Sequence, residues 1–320
     1  MKAIRVFEYG EPEVMRLETM PQLTPDMGQV LVEIKAAGVN PVDTYMRAGW
    51  HPSRRALPYT PGMDAAGIVL EVGQGCSGIQ VNDRVFVSGS LSGTYASQAL
   101  CFPEHLHRLP DGIDFAQGAA LGVPYGTACR ALFGRATVTA GQIVLVHGAS
   151  GGVGIAAVQL ALAGGLKVIA TAGTEKGRQV LAEQGAQWVL DHHDPERWGA
   201  IMAVTEGRGV DVILEMLANV NLDHDLDVIA PGGTVVVIGS RGRIEIDPRK
   251  TMARDLSIMG MMLMNTPPQE LKIIYAHITA GLEAGQLRPV IASQMPLNEA
   301  PRAHREIMES GHHGKIVLIP

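Results

Sequence analysis

Aromatic side chains are scarce in this 320-residue chain: fourteen, against 38 glycines. The glycines therefore have to be explained by backbone geometry, where a turn or a close approach excludes a side chain. Cysteine is scarcer still. Cys76, Cys101 and Cys129 lie far apart, so neither a disulfide framework nor a zinc knuckle follows from their spacing, and a reducing, cytoplasmic setting fits them. Basic charge is not in surplus. The 26 Lys and Arg face 32 acidic residues, a formal net charge of -6, which weighs against a surface built mainly to hold polyanions while leaving room for a local basic patch. Long apolar runs are also missing: the richest, Leu256 to Met264, is interrupted by Ser257 and Gly260 and is about half the ~18 residues a membrane span needs. The opening Met1 to Glu8 alternates apolar and charged residues as a strand does and lacks the apolar core of a signal peptide, so a soluble protein that is not exported is expected.

What is present is a folding composition. With 46% hydrophobic and 18% charged residues the chain is expected to be ordered, and at ~150 residues per domain it makes about two domains. From Met1 to about Pro124 short β runs are punctuated by Gly and Pro: Ala3 to Phe7, Gln29 to Ala37, Gly67 to Val72, Arg84 to Val87 and Tyr95 to Cys101. The character changes near Gln117, where Gly118 to Leu121 and Gly126 to Phe133 have helical spacing. Beyond Gln142 strand and helix alternate. Apolar strands are read at Ile143 to His147, Lys167 to Thr171, Trp188 to Leu190, Val210 to Leu214, Thr234 to Ile238 and Ser257 to Met262, with helices such as Ile155 to Ala163 and Lys176 to Gln184 between them. Such alternation implies right-handed crossovers and a six-stranded parallel sheet covered on both faces. A helix after Pro267-Pro268 runs to about Glu283, and Lys315 to Ile319 is a last strand that is expected to return to the first domain.

The segment that carries chemistry is Val144-Leu145-Val146-His147-Gly148-Ala149-Ser150-Gly151-Gly152-Val153-Gly154, followed by a small-residue helix. Set against G-x-G-x-x-G, its key positions hold Ala149, Gly151 and Gly154, with Gly152 as an extra. The middle glycine admits a pyrophosphate to the backbone, the last lets helix pack on strand, and the helix N-terminus offers N–H groups to the anion. Strand, turn and helix in this order within a βαβ series point to dinucleotide binding.

The second strand separates the two nicotinamide dinucleotides. It ends Ala170-Thr171-Ala172-Gly173-Thr174, without the carboxylate an NAD site sets on the ribose hydroxyls. Gly173 leaves space, Thr174 can donate, and Lys176 and Arg178 follow, as a ribose phosphate requires. Glu175 leaves a displaced acid open, and a solvated helix face is the plainer account of the two cations. No metal pattern is found among the 11 His: the pairs His105/His107, His192/His193 and His312/His313 lack helical spacing to a third ligand. Most are expected at the surface; His192, after the third strand, is placed either against the cofactor or in solvent.

Over essentially its full length the chain resembles a zinc-independent medium-chain dehydrogenase/reductase of the zeta-crystallin quinone oxidoreductase type. The stretches that carry the resemblance are Gly38 to Tyr45, Leu57 to Gly62, His147 to Gly154, Thr171 to Glu175, Glu215 to Leu222 and Ile238 to Gly242. It implies an α/β protein, with a GroES-like, mostly β catalytic domain over 1–124 and 266–320 and a doubly wound Rossmann domain over 125–265. It further implies NADPH in the cleft between them, touched by Tyr45, Ser150, Gly151, Gly152, Val153, Gly173, His192, Asn221, Ile238, Gly239, Ser240 and Arg241, with Lys176 at the ribose phosphate beside the Thr174 read from the strand tip. Zinc-dependent relatives carry Cys near Asn40 and Gly-His-Glu near Pro61 to Asp64; this chain has Asn40 and Pro61-Gly62-Met63-Asp64, so both metal sites should be absent.

Without zinc to polarise a carbonyl, quinone or activated-alkene reduction needs an aligned nicotinamide and a hydrogen-bond donor near developing oxyanion charge. Asn40, Tyr45, Tyr59 and Thr127 are the candidates for orienting substrate, and Asp43 and Asp64 either cap turns or touch it. NADPH:quinone reduction is the leading function, with alkenal or enone reduction as the alternative. RNA binding, suggested by Arg241 to Lys250 and by the family, and a structural crystallin-type role are the readings of another class. The apolar strand within Leu256 to Met264 lies at the sheet edge, which invites pairing; family members pair there, so a homodimer or larger homo-oligomer is expected.

Overall fold

In the computed structural model, residues 1–52, 54–309, 311 and 313–320 are described. β1 (Lys2–Val6) and β2 (Met15–Thr19) pair antiparallel. They are followed by β3 (Val30–Gly38), α1 (Pro41–Ala48), β4 (Asp64–Val72), β5 (Arg84–Ser88), β6 (Gln98–Cys101), β7 (Leu106–Arg108) and α2 (Phe115–Gly118). Pro41 opens α1, where its missing N–H costs nothing, and Gly49 ends it in the left-handed region at φ 77°. The run read as one strand over Tyr95 to Cys101 is divided. Only Gln98–Cys101 joins β3, while Tyr95 accepts from Ile4 N at 2.8 Å and Ala96 bridges to Ala3.

α3 (Gly122–Cys129) passes into a wider π-type turn over Arg130–Arg135, so the helix read over Gly126 to Phe133 changes its winding midway. Then come β8 (Ile143–Val146), α4 (Gly152–Ala163), β9 (Lys167–Ala172), α5 (Glu175–Glu183), β10 (Trp188–Asp191), α6 (Arg197–Val204), β11 (Val210–Glu215), α7 (Ala218–Val228), β12 (Ile229–Val237), α8 (Pro248–Met252) and β13 (Ser257–Gly260). The six strands lie in the order β10-β9-β8-β11-β12-β13, all parallel. This is the doubly wound order, whose direction reverses between β8 and β11 and leaves a crevice at their carboxyl ends. β12 begins earlier than its apolar run because Pro231-Gly232-Gly233 interrupts the register between Ile229 and Thr234. β13 is shorter than expected and stands at the sheet edge.

α9 (Pro268–Glu283), β14 (Ile291–Pro296), α10 (Ala300–Glu306) and β15 (Lys315–Ile319) complete the chain. β15 pairs with β3 in a seven-stranded sheet ordered β14-β15-β3-β4-β5-β7, with β6 also on β3. Two compact units result: Met1–Val123 with Tyr275–Pro320, and Pro124–Ile274. Each has its own core. The first gathers Ile4, Val32, Tyr95 and Leu318; the second gathers Leu145, Ile169, Ile213 and Val235 from the parallel strands. Of the histidines expected at the surface, His107 instead stacks on Tyr275 with ring centroids 4.2 Å apart, and His312 lies outside the described residues. Among the described residues no helix is long and apolar enough to cross a membrane.

Candidate active site

In the second unit, β8 ends at Val146 and the backbone turns through Gly148, at φ 56°, into α4. A Cβ on Gly154 would fall 2.4 Å from the Cα of Ala149, so this position has to be glycine for the helix to lie against the turn. Gly151 is the opposite case. A Cβ there would meet nothing nearer than Gly148 O at 3.6 Å, and no side chain caps the first turn of α4. The N–H groups of Gly152 and Val153 and the helix dipole thus face an open place suited to a pyrophosphate. Ser150, at the same turn, is packed against α5 through Gly177, whose Cβ would come 3.1 Å from the Ser150 hydroxyl.

The tip of β9 is shaped by its neighbours. A Cβ on Gly173 would lie 2.4 Å from His192 Nε2, so this glycine makes room for a histidine as well as for any ribose. Thr174 caps α5, its hydroxyl accepting from Gly177 N at 3.1 Å, which leaves the hydroxyl proton to donate outward. Arg178 donates to Asp191 at 2.8 Å, and with His193 N on its other oxygen that carboxylate is held below the usual range. Lys176 is exposed, and among the described residues it has no ion-pair partner. The two cations read together in the sequence therefore separate: Arg178 neutralises Asp191, and Lys176 is the one left to meet a phosphate. His192 is half-buried beside His193 at 3.2 Å, and burial lowers its pKa.

At the carboxyl ends of β11 and β12 two loops are tied together. Ile238 and Gly239 both donate to Glu215 O, at 2.9 and 3.2 Å, and Ala218 N donates back to Gly239 O. A Cβ on Gly239 would strike Met216 O at 2.4 Å. Glu215 accepts from Leu217 N and, at 3.4 Å, from Asn221 Nδ2. Asn219 holds the following loop: its Oδ1 accepts from Arg241 N at 2.8 Å and from the Ser240 hydroxyl at 3.5 Å. Asn219 was missed as an individual because nothing in its local spacing marks it as a clasp.

In the first unit the N-terminus of α1 sits in a buried polar network. Asn40 Nδ2 donates to Asp64 at 2.9 Å, and Asn40 Oδ1 accepts from Lys315 Nζ at 2.5 Å. Lys315 also bonds Asp64 at 3.1 Å, and the other Asp64 oxygen accepts from Val123 N at 2.8 Å. Asn40, expected to face substrate, is 2% exposed and engaged at both ends of its amide, so it braces the Lys315–Asp64 pair. Asp43 caps α1 by accepting from Asn40 N at 2.9 Å and accepts again from the Tyr95 hydroxyl at 3.1 Å. Burial pushes its carboxyl up to about 7. Asp43 and Tyr59 line a small pocket with Met46, Arg55, Gly62 and Met63. The Tyr59 hydroxyl has no hydrogen-bond partner among the described residues, and burial raises it to about 12. Tyr45 is partly exposed and Thr127 is buried.

Residues 26–146 match the alcohol dehydrogenase GroES-like domain, and residues 152–279 match the family described as zinc-binding dehydrogenase. With the β unit and the doubly wound unit, these matches define an oxidoreductase of the medium-chain dehydrogenase/reductase class. The chain is 50% identical to a quinone oxidoreductase of Sus scrofa and 48% identical to that of Homo sapiens, in each case over 100% of this chain and 98% of the relative. It therefore belongs to the zeta-crystallin-type quinone oxidoreductase family. Among solved structures, an Escherichia coli quinone oxidoreductase complexed with NADPH superposes with a TM-score of 0.89 at 29% identity, covering 100% of both chains. A structure described as an NAD-dependent alcohol dehydrogenase reaches 0.93 at 27% identity, again over 100% of both chains, so the fold is shared more widely than the chemistry.

The donors around Asn40 do not match the zinc in that family description. Zinc takes Cys sulfur, His nitrogen or carboxylate oxygen. Around Asn40 stand its own amide, the Asp43 and Asp64 carboxylates and the Lys315 ammonium, with no Cys or His among these hydrogen-bonded groups.

Proposed function

We propose that the chain reduces quinones with NADPH and without catalytic zinc, as a cytoplasmic homodimer. The observation that carries this reading is the uncapped glycine turn of α4 together with a β9 tip that offers Lys176, where Arg178 neutralises Asp191 and Glu175 is the exposed acid that remains. The unit of 1–123 and 275–320 is assigned as the catalytic domain and that of 124–274 as the dinucleotide-binding domain, the second boundary falling at 274/275 and not at the 265/266 read from the sequence. Bound NADPH supplies the hydride. The α4 turn at Ser150, Gly151, Gly152 and Val153 holds the pyrophosphate, Gly173, Thr174 and Lys176 hold the phosphorylated ribose, and His192 packs near it. Asn221 and the Ile238, Gly239, Ser240 and Arg241 loop close on the nucleotide, and Tyr45 touches it.

For the substrate, Tyr59 has the right chemistry. Its hydroxyl is raised to about 12 and lies buried without a partner among the described residues beside the small pocket it lines, so a quinone oxygen that enters this pocket would receive its hydrogen bond as negative charge develops. Tyr45 and Thr127 orient the ring by contact, and Asn40 does so at one remove by fixing Lys315 and Asp64. Dimer formation is assigned to the exposed edge around β13, with Ile258, Met262 and Met264 at least 38% exposed. The direct test is NADPH oxidation with ortho- and para-quinones after exhaustive chelation; turnover is expected with at least one. Silence with every quinone, together with saturation of an enone, would transfer the assignment to alkene reduction.

A further inference from the structure

Three ligand-type side chains converge inside the second unit, beneath the nucleotide turn. His147 follows β8, Glu215 is the last residue of β11, and Asp225 lies on α7. β8 and β11 are neighbours in the sheet, so their carboxyl ends set His147 beside Glu215, and α7 brings Asp225 across both. One imidazole nitrogen and one oxygen from each carboxylate lie within 4.8 Å of one another. His147 Nε2 is 2.8 Å from Asp225 Oδ1 and 3.7 Å from Glu215 Oε2. The other imidazole nitrogen is 3.4 Å from the Thr171 hydroxyl, the kind of outer contact that fixes a ligand ring.

The remaining oxygens are what make this more than a hydrogen-bonded cluster. Glu215 and Asp225 are both 0% exposed, and Glu215 Oε2 and Asp225 Oδ2 have no hydrogen-bond partner among the described residues. Two carboxylates buried side by side are costly unless a shared proton or a cation joins them. Arg197 does not supply the cation by contact: its guanidinium lies over the Trp198 ring at 4.3 Å and donates to Asp194 O at 2.9 Å. Trp198 itself meets His147 edge-on at 5.8 Å.

We propose that His147, Glu215 and Asp225 form a buried site for a divalent transition-metal cation that secures the nucleotide-binding unit. One nitrogen and two carboxylates suit Zn²⁺, Mn²⁺ or Co²⁺. With Nε2 as the ligand atom, the imidazole proton resides on Nδ1, which donates a hydrogen bond to the Thr171 hydroxyl, and any proton shared by the two carboxyls leaves to solvent. The cation takes no part in hydride transfer; it anchors Glu215, which in turn holds Leu217 N and Asn221.

The test uses the full-length, untagged protein stripped by chelator and loaded with Co²⁺ by two routes: long incubation of the folded chain, and refolding from urea with the ion present. After desalting, one cobalt per chain is expected, with visible d–d bands and no thiolate charge-transfer band. Zn²⁺ should then displace it and raise Tm. E215Q and D225N, checked for folding by circular dichroism, should lose the cobalt and the Tm response, and C76S and H193Q should retain both. No retained cobalt by either route, or equal retention by E215Q and D225N, overturns the site.

Discussion

Lys176 and Asp43 show how much a single side chain's surroundings decide. Lys176 is exposed while its neighbour Arg178 is committed to Asp191. Replacing Lys176 by Ala should therefore weaken NADPH roughly tenfold, about 1.4 kcal/mol, and leave NADH unchanged in a fluorescence titration. The loss should shrink with added salt; equal losses for both nucleotides would remove Lys176 from the phosphate. Asp43 tests a buried acid. Its carboxyl is raised from 3.8 to about 7, so over that interval the folded chain holds a proton that the unfolded chain has lost. This contribution favours folding at low pH, is lost as pH climbs from about 4 to about 7, and is level above. Urea unfolding of D43N across this range should lack that decline relative to the natural chain, since the substituted amide oxygen can still accept from Asn40 N; parallel curves would contradict the assignment.

At the scale of elements, the Lys315–Asp64 bond joins β15 to β4 through the start of α1. Lys315 to Met strands a fully buried Asp64 and should cost about 3–5 kcal/mol in urea unfolding. The double variant with D64N should recover most of that; a K315M cost under about 0.5 kcal/mol, as for a surface change, would deny the pair its role. The same bond marks where sequence reasoning stops. The parallel strands were legible because of short unbroken apolar runs such as Val144–Val146, Val168–Ala170 and Val212–Leu214, and the α4 turn because packing demands Gly154 and the open approach of an anion suits Gly151. Lys315 looks like the first residue of an apolar strand, and only the folded sheet brings it to Asp64. Asn219 and Gly177 escaped for the same reason, since the partner that explains each lies elsewhere in the chain. Arg178 was read for its charge, and its true neighbour, Asp191, sits on the next strand.

For the whole molecule, the formal charge of -6 weighs against holding polyanions as the main role, and the proposed dimer rests on β13. Ile258 to Lys puts a charge on that exposed edge and should shift sedimentation from dimer to monomer while leaving the unfolding midpoint of each unit within a few degrees; an unchanged dimer would locate the interface elsewhere. The long reach of Lys315 also has a consequence for how the chain is made. The nucleotide unit is one continuous stretch, Pro124–Ile274, and can finish on the ribosome. Asp64, by contrast, waits for a lysine 251 residues further on, roughly 10–50 s at usual synthesis rates. Until it arrives the first unit is a nascent intermediate with an unpaired acid at its heart, so the part of the protein begun first is the last to be completed.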